Sequence, residues 1–125
     1  MKAEDVTSFL KVQTQIAALY NEMKDLSKKS PNNAVNEFKL KLINTLLSEA
    51  NNVLDEANKP FGDFATFDVD ELPSNSDVVM ILSQYLNCLE QFRSENVIQD
   101  EYDWVWDTDD DSRIESEPPS KEEFR

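Results

Sequence analysis

The segment EYDWVWDTDDD, residues 101–111, holds both tryptophans of a 125-residue chain among six carboxylates and no basic residue. Its reading decides the fold class. Ile98, Tyr102 and Val105 recur at helical spacing, whereas Tyr102, Trp104 and Trp106 alternate as the residues of a strand do. A stretch this short does not choose between the two periods, so the choice passes to the rest of the chain.

The chain has a single glycine. Glycine supplies the left-handed positions of tight turns and the close backbone approaches of phosphate-cradling loops, so its scarcity argues against hairpin-rich folds. The apolar fraction of 39% and the charged fraction of 30% suit one modest core carrying a solvated acidic appendage. On these grounds the expected class is all-α.

Three seams carry that expectation. Phe9, Val12, Ile16, Leu19, Met23 and Leu26 step by three and four within residues 4–29, and Lys24, Lys28 and Lys29 suit the C-terminal end of a helix. After SPNN at 30–33, Leu40, Ile43, Leu47, Ala50, Leu54 and Ala57 repeat the rule, with Ser30 or an asparagine as the expected cap. A second row, Phe38, Leu42 and Leu46, with Val53 further along, gives this helix apolar residues on two sides. It is therefore central among neighbours or part of a dimer interface. Val78, Leu82, Tyr85, Leu89 and Phe92 form the third seam, opened by Ser74 and Asp77 at capping-box spacing. Between the last two helices, Phe61, Phe64 and Phe67 mark a connection folded over the core. An up-down-up three-helix bundle is the economical topology, with a helical hairpin completed by dimerisation as the alternative.

The expected organisation is a helical unit over residues 1–98 and an acidic aromatic tail over 99–125. From Asp107 onward, low hydrophobicity, high charge and paired prolines read as largely disordered when free. Charge follows the same division. The net of −14 falls as −1 on residues 1–58, −5 on 59–98 and −8 on 99–125. Such a field repels nucleic acid and anionic membrane and attracts basic protein surfaces. Cys88 stands alone, so no intrachain disulfide can form. Acids at positions 4 and 5 do not suit a signal peptide, no apolar run reaches spanning length, and a cytoplasmic location is expected.

The chain has no histidine, which removes the commonest general base and metal ligand, and no glycine-rich phosphate loop. Asp107, Asp109 and Asp111 match the first liganding positions of a calcium loop. Ser112 stands where the turn glycine belongs and Pro118 where the bidentate glutamate belongs, so no metal site and no cofactor are expected.

The leading expectation is a non-catalytic interaction module: an adaptor, accessory subunit or inhibitor. Tyr102, Trp104 and Trp106 would anchor in an apolar cleft of the partner while Asp107, Asp109, Asp110 and Asp111 meet its basic rim. The competing reading of the same rings is that they close the chain's own core. A nucleic-acid mimic or antitoxin-like inhibitor is a second function, and a homo-oligomerising helical module a third.

Overall fold

The computed structural model describes residues 1–120. It contains three helices, α1 (Ala3–Lys29), α2 (Glu37–Asn58) and α3 (Asn75–Glu95), followed by a small antiparallel sheet of β1 (Val97–Asp100), β2 (Asp103–Trp106) and β3 (Glu115–Ser116) in the order β1-β2-β3. The chain is mostly helical but not all-α. Its three seams form the core as expected: Phe9, Ile16, Leu40, Ile43, Leu47, Leu82, Tyr85 and Leu89 are all fully buried in one cluster. All three helices of a single chain feed that cluster, so the helical-hairpin alternative is not the architecture. No helix among the described residues is long and apolar enough to cross a membrane.

The direction of α3 departs from the up-down-up expectation. The Asn75 side chain donates to Ser30 O at 2.8 Å, joining the start of α3 to the end of α1. At the other end, Phe9 and Phe92 stack with centroids 5.3 Å apart. These contacts make α1 and α3 antiparallel. The links preceding α2 and α3 also meet, through an isolated bridge between Ala34 and Ser74 and a bond from Val35 N to Pro73 O at 2.9 Å. Therefore α2 and α3 start at the same end and run parallel.

That arrangement needs a crossover. A helix of 22 residues rises about 33 Å, within reach of the extended connection between α2 and α3. Two asparagines of α2 hold it. Asn44 both donates to Phe67 O and accepts from Phe67 N, each at 2.9 Å, and the Asn51 amide donates to Ala65 O at 2.9 Å. Later connection residues lie against earlier α2 residues, so the segment runs back along the helix. Phe61, Phe64 and Phe67 pack edge-to-face on one another and against the core, as expected of that row. Short connections favour antiparallel neighbours, and this one is too long and too well tethered for that rule to govern.

Local signals set the helix ends. The Ser74 hydroxyl accepts from Asp77 N at 3.2 Å and the Asp77 carboxylate accepts from Ser74 N at 3.3 Å, the reciprocal box expected from their spacing. Asn36, not Ser30, caps α2, accepting from Lys39 N at 2.8 Å. Within α2, Asp55 adopts φ 61° and its carboxylate accepts from Ala57 N at 2.9 Å, which bends the last turn away and leaves Ala57 exposed.

Residue 98, the expected boundary between helical unit and tail, falls inside β1. Disorder is expected from Asp107 onward, yet within residues 107–120 Glu115–Ser116 form β3; Lys121–Arg125 lie outside the described residues. Glycine scarcity did not prevent the hairpin because Glu101 itself takes the left-handed position, at φ 58°. Val97 pairs with Trp106 and Gln99 with Trp104, so the alternating reading of 102–106 is the one realised.

Candidate functional site

The sheet's fastening begins with one ring. Trp106 is 2% exposed and meets Phe9 edge-on with centroids 5.2 Å apart, while Trp104 is half-buried against the same core. Burial of so large a ring favours the sheet by several kcal/mol at ~25 cal/mol per Å². Trp106 thus packs on the chain's own core and is not exposed.

The acids expected beside it divide likewise. The Met1 amino group donates to Asp109 at 2.8 Å, and Asp109 N donates to Met1 O at 2.7 Å. Asp110 accepts from Ala3 N at 3.1 Å and from Ser112 N at 3.0 Å. A carboxylate there satisfies a free N–H in the first turn of α1 and lies at the positive end of its dipole. Hydrogen bonds from Ser112 and from the Ala3 backbone hold the Asp110 carboxyl down at about 2. Both residues are therefore attachments of the sheet to α1. Asp107 and Asp111 are exposed, and among the described residues neither carboxylate has a hydrogen bond or ion pair.

Tyr102 is the outlier. It sits in the two-residue turn between β1 and β2 and is 94% exposed. The turn has a positive φ at Glu101 and none at Tyr102, the sign pattern of a type II′ hairpin, whose first central position usually holds glycine. Forcing a glutamate into that conformation costs on the order of 1 kcal/mol or more. Arg113 bridges the carboxylates flanking the turn, at 3.2 Å from Asp103 and also against Asp100. Glu101 and Tyr102 are thus exposed at the tip of the hairpin, while Asp107, whose N–H donates to Asn96 O, and Asp111 are exposed nearer its base.

The sequence reading missed the Arg93 cluster, which ties the last described residues to α3. Arg93 is 8% exposed. Its Nε and Nη2 donate to the two Glu90 carboxylate oxygens at 2.8 and 2.6 Å. Its Nη1 donates to Ser116 Oγ at 2.7 Å and Glu117 O at 2.8 Å, and Nη2 also reaches Pro118 O at 3.0 Å. Gln13 and Ser120 complete the set by donating to Glu90. Burial alone would raise the Glu90 carboxyl, but hydrogen bonds from Arg93 and Ser120 and the Arg93 charge outweigh it, and its pKa is lowered. A cleft of about 750 Å³ opens beside this cluster. Arg93 already donates in five hydrogen bonds, so the cluster is a fastening with no donor left for a ligand anion. The Glu90–Arg93 spacing was a visible signal; the backbone carbonyls of Glu117 and Pro118 were not.

Cys88 is half-buried in α3, and burial pushes its thiol up, away from the reactive thiolate. Among the described residues, no three His, Cys, Asp or Glu side chains converge to hold a metal ion. Neither a family model, a curated protein nor a solved structure matches the chain.

Proposed function

We propose that the protein is a non-catalytic interaction module that engages a basic protein surface through its acidic sheet end. The observation that carries this reading is Tyr102, a nearly fully exposed aromatic ring on a strained hairpin turn within the most acidic part of the chain. Tyrosine is a frequent interface anchor because it buries much area with few rotors to freeze. In this reading Tyr102 enters an apolar cleft of the partner, replacing the tryptophans in that role. Glu101 faces Lys or Arg beside it, Asp107 and Asp111 supply negative charge farther along the sheet, and the turn is held in shape by Arg113. The carboxylate field speeds encounter, and the ring holds the complex once formed.

Affinity capture on the immobilised protein tests this, with Tyr102→Ala as the comparison. A basic protein retained by the parent, released by salt and lost on the variant is the expected result. Equal retention on both overturns the anchor. Retained protein that duplex DNA displaces would instead favour the nucleic-acid-mimic reading.

A further inference from the structure

Phe38 and Leu42, the leading members of the second apolar row of α2, find no cover among the described residues. Phe38 is 72% exposed and Leu42 51%, while Leu46 and Val53 are half-buried beside them. Next to the row, three adjoining hollows of about 430, 280 and 200 Å³ follow the α1–α2 seam from Leu42 to Met1. The first two share Lys11 and Glu49; the second and third share Ser8, Asn52 and Val53. A protruding ridge and a matching hollow thus lie on one face. An isologous interface requires that combination, because each copy must offer what the other lacks.

Charge selects the occupant. The chain carries −14, but only −1 of it lies on residues 1–58, which contain α1 and α2. Two copies meeting through the sheet end would place their most acidic surfaces together. The α1–α2 face is where they can meet with least repulsion. Its own charges are also arranged to match a copy. If two α2 helices pair antiparallel about Thr45, Lys41 of each lies opposite Glu49 of the other, and Phe38 lies beside the other copy's Asn52 and Val53. A strongly basic partner would find little to attract it on this near-neutral face.

We infer that the α1–α2 face is a homodimer interface, with Phe38 and Leu42 of each copy seated in the hollows of the other and the two α2 helices antiparallel. The association is apolar at its centre and carries two Lys41–Glu49 pairs.

Sedimentation of the full chain from micromolar to millimolar concentration tests it. A mass of twice 14.4 kDa at the upper end, falling to 14.4 kDa on dilution, is expected. The double variant Phe38→Asp/Leu42→Asp replaces exposed side chains, so it should keep its helical circular dichroism and melting temperature while remaining monomeric throughout. Lys41→Glu and Glu49→Lys should each weaken association several-fold, and the two together should restore it. A parent that stays at 14.4 kDa throughout, or an Asp double variant that dimerises like the parent, overturns the inference. Failure of the combined swap to restore association overturns the antiparallel pairing.

Discussion

The near-neutral α1–α2 face and the acidic sheet end are built on different principles. On the helical face, apolar residues lie at regular spacing and the charges of both signs nearly cancel. At the sheet end, one aromatic ring and a few polar fastenings hold a strongly acidic segment against the rest. Periodic packing spreads its burial over many residues. A segment held at few points depends on each of them. The same contrast sets opposite responses to salt: association through the helical face should be insensitive or strengthened, while binding of a basic partner at the sheet end should weaken.

The harshest way to break the sheet end is Trp106→Ala. It should lower stability by about 3–5 kcal/mol, as for other large aromatic deletions in cores. Chemical denaturation measures the loss, and amide exchange should show residues 97–116 opening before the helices. A loss under about 1 kcal/mol would mean that the ring is not what fastens the sheet.

Arg93→Met should come next, at about 2–3 kcal/mol, below the range for a fully buried pair because Glu90 keeps some contact with water. Its signature is local: faster amide exchange at residues 115–120 with the helical core unchanged. The same fastening responds to acid. The Glu90 pKa is lowered from its ordinary 4.5, so its contribution is fully present above 4.5 and disappears as pH falls through the lower folded value. Exchange protection at 115–120 should therefore drop in acid in the parent and be flat in Glu90→Gln.

Asp110→Asn should have a smaller effect of the same sign. The Asp110 pKa falls from 3.8 to about 2, so the stability difference between parent and variant should hold at neutral pH and close between those values. A difference that persists at still lower pH would detach the effect from this carboxylate. Tyr102→Ala should change stability by no more than about 0.5 kcal/mol, since the ring is exposed. Unchanged melting together with lost capture of a partner would separate the two regions cleanly.

The readable parts were those that repeat. Leu40, Ile43, Leu47 and Leu54 announce a buried face through spacing alone, and Ser74 with Asp77 announces a helix start within four residues. The tryptophan segment was ambiguous because four residues of strand fit either period. Glycine scarcity then argued for the wrong side, since Glu101 occupies the position that glycine usually takes. Of the seven residues expected at the site, Tyr102, Asp107 and Asp111 face outward, Asp109 and Asp110 attach the sheet to α1, and Trp104 and Trp106 pack inward.

By itself, the amino-acid sequence determined three helices, their buried stripes and a charge gradient toward the C-terminus. Each of these depends on residues close together in the chain, where spacing is structure. Only the tertiary structure decided that α3 runs parallel to α2, that Trp106 meets Phe9, and that Asp110 serves the α1 N-terminus. Those outcomes depend on groups as far as 107 residues apart. Their energies exist only once the core has brought them together.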